Sequence, residues 1–256
     1  MFSKSAKYYD EIYAAMGKDY SAEAEKARGF IQAHKKSDGN RLLDVACGTG
    51  IHANSLSRFY QVEGLDLDAK MLAVARRKYP AIRFLRGDMT DFDLKRQFDA
   101  ITCLFSSIGY VKTKSRLHKA IKNMTRHLSV GGVLLVEPWL APDQWNVGRV
   151  FTASVDQPDL KIVRMSRSAR RGNVSILEFR YLVGTSKGIE HCQEIHELGL
   201  FKHEEYLGAF QAAGLKVSHD AEGLDGRGLY IGLKPPSSST STVQIARQRS
   251  RSKISE

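Results

Sequence analysis

The stretch LLDVACGTG, Leu42–Gly50, decides the fold. An apolar run carrying one acid, Asp44, leads straight into the small residues Ala46, Gly48 and Gly50. Such a run reads as a buried strand that turns tightly into a helix, with backbone bare enough for a ligand to approach. Three ligand chemistries compete for the turn. A phosphate-binding P-loop needs Gly-Lys-Ser/Thr, and none follows. Gly48, Gly50 and Ala53 fit the dinucleotide pattern G-x-G-x-x-G/A, a weak match by itself. Asp44, four residues before Gly48, repels a pyrophosphate and suits an ammonium group. That favours S-adenosylmethionine (SAM) and leaves a dinucleotide-dependent oxidoreductase as a rival.

Two further acids follow at the ends of apolar runs. Asp66, beside Leu67 in GLDLD, is placed to accept from both hydroxyls of a ribose. Asp88 and Met89 end the next run, where the acid suits an adenine amino group and the thioether its ring. Three acids on three successive strand ends line one crevice at the carboxyl edge of a sheet.

The rhythm around these runs gives the architecture. RLLDVA, VEGLDL, IRFLRG, FDAITCLF and GGVLLVEPW read as buried strands. Between them HANSLSRFY, AKMLAVARRKY and SRLHKAIKNMTRHL carry apolar residues every three or four positions. SVGG after the last of these reads as a helix stop through Gly131 and Gly132. Alternating β and α units predict a parallel, Rossmann-like sheet with helices on both faces. After Trp139 the period changes to two, from about Phe151 to Phe201, with turns at Arg171-Gly172-Asn173 and Ser186-Lys187-Gly188. This predicts an inserted antiparallel sheet. A helix, KHEEYLGAFQAAG, and two strands, LKVSHDAE and LYIGLK, return to the main sheet. The expected organisation is N-terminal helices and an α/β core over 1–149, the insert over 150–201, closing elements over 202–234, and a disordered Ser/Arg-rich tail over 235–256.

Composition narrows the class. Of 256 residues 42% are hydrophobic and 26% charged, ordinary for a soluble globular chain. No apolar run is long enough to span a membrane, and no signal peptide is expected. Three scattered cysteines, Cys47, Cys103 and Cys192, argue against a disulfide framework and for the cytoplasm. No His/Cys cluster has metal spacing, and His191 and His196 fall on opposite faces of one strand, so no metal is expected. The net charge is +11, of which the tail contributes part; it suits an anionic small molecule as well as a nucleic acid.

Taken together, LLDVACGTG, GLDLD, GDM and FDAITCLF resemble the class I SAM-dependent methyltransferases over about Leu42 to Glu137. The resemblance implies a seven-stranded sheet with an antiparallel last strand, and S-adenosylhomocysteine as by-product. It also implies that the turn LFSSIGY faces the reactive methyl, with Leu104 on the cofactor side and Ser106 and Ser107 on the acceptor side. That turn lacks the Asn/Asp-Pro-Pro-aromatic pattern of base methylases, which disfavours nucleic acid as acceptor. GKDY (Gly17–Tyr20), FSSIGY, VEPW (Val136–Trp139), EEYLGAFQAAGL and GRGLYIG (Gly226–Gly232) extend the likeness to TDP-amino-sugar N,N-dimethyltransferases. That narrower resemblance implies a nucleotide-sugar substrate and a homodimer built with the insert. Departures are Ala46 where a glycine is usual, Asp66 for a frequent Glu, Leu140 for an aromatic and Arg167 for a His.

Roles follow from the chemistry. An ammonium acceptor must lose a proton before it attacks, and Tyr110 and Tyr13 are expected to flank it and pass that proton to water. Tyr20 is expected over the cofactor's carboxylate end, and Trp139 as a platform for the thymine or sugar. Arg227, between two glycines, suits a pyrophosphate, with Arg167 and Arg180 as further candidates. Methylation of a free small amine such as glycine or phosphoethanolamine is the alternative within enzymes. An RNA-associated SAM-binding protein is the alternative outside them.

Overall fold

The computed structural model describes residues 4–236. In chain order the strands are β1 (Arg41–Val45), β2 (Gln61–Asp66), β3 (Arg83–Arg86), β4 (Phe98–Cys103), β5 (Leu128–Val136), β6 (Val150–Gln157), β7 (Leu160–Arg171), β8 (Val174–Thr185), β9 (Gly188–Gly199), β10 (Lys216–Asp220) and β11 (Leu229–Leu233). The helices are α1 (Tyr9–Ala15), α2 (Tyr20–His34), α3 (Ile51–Leu56), α4 (Ala69–Lys78), α5 (Lys114–Arg126) and α6 (His203–Ala212). None of them is long and apolar enough to cross a membrane.

Seven strands form one sheet in the order β10-β11-β5-β4-β1-β2-β3. β11 runs antiparallel to both its neighbours and the other pairings are parallel. The middle strands read as unbroken apolar runs because both faces are covered. α5 and α6 cover one face through Leu117, Ile121, Met124 and Phe210. α2 covers the other through Ala24, Ala27 and Ile31. Helix starts are fixed by side chains that satisfy otherwise unpaired backbone N–H groups: Asp19 for α2, Asp68 for α4 and Thr113 for α5. The second sheet is the antiparallel order β6-β7-β8-β9, inserted between β5 and α6. Seven strands with an antiparallel last pairing, plus an inserted sheet, are the architecture expected from the sequence.

The structure corrects two local expectations. SVGG is not a helix stop. α5 already ends at Arg126, and Ser129–Gly132 form a bulge inside β5, where the register to β4 slips between the Phe98 and Ala100 pairings. Gly131, at φ +76°, turns its carbonyl to the amides of Lys36 and Ser37. The helix in HANSLSRFY stops at Leu56, where the Ser57 hydroxyl donates to the Asn54 carbonyl and competes with the helical ladder. α1 also reaches the insert: its Ile12 packs into a cluster with Val155, Ile162, Phe179 and Tyr181. The tail expected over 235–256 lies outside the described residues from 237 onward.

Candidate active site

The carboxyl ends of β1, β2 and β3 open on one cleft. Asp44 is buried, and its Oδ1 accepts the Thr102 hydroxyl at 2.8 Å. Its Oδ2 has no hydrogen-bond partner among the described residues. Burial pushes its pKa up to about 6. Asp66 accepts the Gly48 amide on one oxygen and the Asp68 amide on the other, both at 2.8 Å. Asp88 accepts from Thr90 and, at 2.8 Å, from the Arg116 guanidinium. Burial pulls its pKa up, but those donors outweigh it and hold the carboxyl below its ordinary value.

Ala46 and Gly48 line the cleft with Leu67 and Met89, and both adopt positive φ, +58° and +56°. Ala46 thus takes a left-handed conformation that a glycine would adopt without strain. Gly50 has another task than the one expected from the sequence. It does not line the cleft; it starts α3 at φ +82°, where an added Cβ would lie 2.8 Å from the Phe84 ring. Leu104 is buried and lines the recess that holds Asp44, together with Tyr20, Thr49 and His52. Tyr20 meets the His52 ring edge-on at 4.8 Å.

The turn after β4 carries two consecutive left-handed residues, Phe105 at φ +51° and Ser106 at +59°. Non-glycine residues there are strained and need external support. Glu137 supplies it, accepting the Phe105 amide at 2.6 Å. The Ser106 hydroxyl donates to the Pro138 carbonyl, so it braces the wall, while Ser107 faces the cleft. Arg227 lines the cleft too, but its guanidinium is taken up by Glu137 at 3.1 Å and by Asp225. A doubly paired guanidinium is a weak anchor for a pyrophosphate. This corrects the expectation for Arg227, whose main contacts are bracing ones.

The inner face of the inserted sheet closes the cleft. Tyr13, Phe105, Trp139, Leu177 and Phe179 line both the cleft and an adjoining cavity of about 690 Å³. Trp139 donates to the Ser175 hydroxyl at 2.9 Å and lies 5.8 Å from Trp145, so it forms a wall of the cavity. Arg164, Ser166 and Ser168 point into the cavity from β7. Arg164 is 4% exposed, forms no ion pair among the described residues, and its Nε and Nη1 lack hydrogen-bond partners. It lies 4.8 Å over the Phe179 ring and 5.3 Å over Tyr13. Arg167 and Arg180 are exposed on the opposite face of the sheet, so neither reaches the cavity. Strand alternation is the reason: Arg164, Ser166 and Ser168 share one face, Met165 and Arg167 the other. The sequence reading missed Arg164, which the alternation places on the face opposite Arg167 without saying which of the two faces inward. It also missed His196, whose Nδ1 lies 2.7 Å from the Tyr110 hydroxyl. The described residues hold no cluster of metal-binding side chains.

These features fit SAM. The unpaired Asp44 oxygen suits an α-ammonium, Asp66 retains acceptor capacity for ribose hydroxyls, and Leu67 and Met89 offer apolar surface suited to a flat ring. Residues 42–132 match the methyltransferase domain family. A dTDP-3-amino-3,6-dideoxy-α-D-glucopyranose N,N-dimethyltransferase of Streptomyces fradiae is 42% identical over 89% of this chain and 90% of its own. The crystal structure of DesVI from Streptomyces venezuelae superposes with a TM-score of 0.86 at 39% identity, over 90% of this chain and 98% of that one. SAM-bound CalS10, an amino pentose methyltransferase from Micromonospora echinaspora, gives 0.80 at 39% identity, over 89% and 96%. The chain belongs to the class I SAM-dependent methyltransferases, in the family of the TDP-amino-sugar N,N-dimethyltransferases.

Proposed function

We propose that the protein N-methylates the amino group of a TDP-linked amino sugar. The observation that carries this reading is the cavity beside the cofactor cleft, with Arg164 buried in it and in no ion pair among the described residues. A buried guanidinium without a counter-ion is costly unless a ligand supplies the charge. A nucleoside diphosphate does so, with forked hydrogen bonding to phosphate oxygens. A free small amine that carries no anionic group would leave Arg164 unmatched.

Asp44, Asp66, Asp88, Ala46, Gly48, Leu67, Met89 and Leu104 hold the cofactor in this reading, and Tyr20 closes over its amino-acid end. Bound SAM supplies an electrophilic methyl on a good leaving group, so placement is the larger part of what is asked of the protein. Placement of two reactants contributes up to about 7–11 kcal/mol. Tyr13 and Tyr110 flank the amine, Ser107 and Trp139 bound its site, and the aromatic walls exclude water. Ser106, Gly50 and Arg227 act by holding the surrounding backbone.

Val163, Met165, Leu182 and Ile195 are each about half exposed on the outer face of the inserted sheet and support a homodimer through it. Light scattering tests this: Leu182→Lys with Met165→Lys shifts the mass to that of a monomer. The free thiols of Cys47, Cys103 and Cys192 support a cytoplasmic site of action.

Mass spectrometry after incubation with SAM and a panel of TDP-amino-hexoses tests the main reading. The expected result is a gain of one or two methyl masses with S-adenosylhomocysteine formed in step. Methylation of glycine or phosphoethanolamine alone would overturn it.

A further inference from the structure

His196 sits on β9 with 1% of its surface exposed, in the wall of the cofactor cleft. One side faces the Tyr110 hydroxyl, 2.7 Å from Nδ1. The other faces Glu194, with Oε2 at 3.6 Å from Nε2. Glu194 in turn accepts the amides of Lys4 and Ser5 at 2.7 and 3.1 Å and the Ser5 hydroxyl at 2.7 Å. The Tyr181 hydroxyl also donates to it, at 3.3 Å. So many donors on one side chain require an ionised carboxylate. The field of an ionised carboxylate 3.6 Å from Nε2 favours the proton on that nitrogen and leaves Nδ1 as an acceptor for the Tyr110 O–H. The lone pairs of Tyr110 then face the cleft.

We propose that Tyr110, His196 and Glu194 form a proton relay that deprotonates the acceptor ammonium. This rests on the amine-methylating function above. One ammonium N–H bond breaks and its proton joins the Tyr110 oxygen. The hydroxyl's own proton passes to Nδ1, and the electron pair left on nitrogen takes the methyl. The imidazolium so formed lies against Glu194 and gives its proton back through Tyr110 to solvent after product leaves. His196 is the base, and Glu194 positions and charge-balances it.

The surrounding charges agree with this order. Burial raises the Glu194 carboxyl, yet His196, Ser5 and Lys4 outweigh it and hold it at about 2. Burial keeps His196 below its ordinary pKa, with Arg164 opposing its charging and Glu194 favouring it. Phe179 packs tilted against the ring, centroids 5.0 Å apart, and carries no charge. The imidazole is therefore neutral and able to accept at neutral pH.

His196→Gln tests the relay, because a glutamine can accept from Tyr110 and donate to Glu194 but cannot take a proton. The expected result is a fall in kcat of about 10²–10⁴-fold. The acceptor KM and the SAM affinity by calorimetry stay within threefold. The acid limb of the kcat–pH profile disappears. Tyr110→Phe is expected to fall as far, and the double variant no further, since the residues act as a unit. Equal kcat of wild type and His196→Gln across pH 6–9 would overturn the relay. Nitrogen NMR of the imidazole, which needs no substrate, is expected to find the proton on Nε2; finding it on Nδ1 overturns the relay independently. Wild type that methylates no nucleotide-linked amine removes the parent function, and the relay with it.

Discussion

The two halves of the ligand cleft are built from opposite materials. The cofactor half gathers three acids at the ends of three parallel strands, each reached through a short local turn. The acceptor half is the inner face of an antiparallel sheet, presenting Arg164, two serine hydroxyls and aromatic walls. The groups left without partners differ in sign: the Asp44 oxygen suits the ammonium of SAM, and the Arg164 guanidinium suits an anion. The contrast teaches that the unpaired group of each half, rather than its whole lining, matches a ligand by sign.

That contrast is breakable one half at a time. The largest effect is expected from Asp44→Asn, which removes the counter-charge for the cofactor ammonium. SAM affinity should fall by about 3 kcal/mol, over a hundredfold, in calorimetry. TDP binding should be unchanged. Arg164→Gln is the mirror experiment, with TDP weakened by about 2 kcal/mol, roughly thirtyfold, and SAM unaffected. Arg167→Ala and Arg180→Ala should leave both ligands alone; a loss of TDP binding in either would put the anion site on the wrong face.

A smaller effect comes from pH. With the Asp44 carboxyl at about 6, SAM affinity should weaken about tenfold between pH 7 and pH 5 as the carboxylate is lost. The cofactor-free protein responds in the opposite sense. A carboxyl whose pKa is raised on folding stabilises the fold fully below its unfolded value, near 3.8, and loses that contribution as pH rises through about 6. Asp44→Asn should abolish both slopes in thermal melts with and without SAM. The smallest effect is expected from Ala46→Gly. It relieves left-handed strain but adds unfolded-state entropy, for a net gain of about 0.5 kcal/mol, or ~1–2 °C in Tm.

The same contrast explains what the sequence disclosed. Asp44, Asp66 and Asp88 were legible because each ends an apolar run and meets the ligand through residues adjacent in the chain. The inserted sheet was legible as alternation, but which parity faced inward was not. Arg164 and Arg167 differ by three positions and so by face, and only the packing of α1 through Ile12 decides which face is covered. Arg227 looked free because Glu137 lies ninety residues earlier, a pairing that exists only once β5 and β11 are neighbours. The SVGG bulge failed for a related reason. Two glycines punctuate a helix end and a strand bulge alike, and the distant backbone of Lys36 and Ser37 chose the bulge.

Glu194 has one more consequence. The same carboxylate that faces His196 also clasps the backbone of Lys4 and Ser5. Seating of the chain's first described residues and the proton affinity of the imidazole are therefore thermodynamically linked. Linkage is reciprocal: whatever loosens the amino-terminal segment raises the carboxyl's pKa, and charging the imidazole alters the grip on that segment. A reporter group placed near the amino terminus would register chemistry in the cleft without touching it.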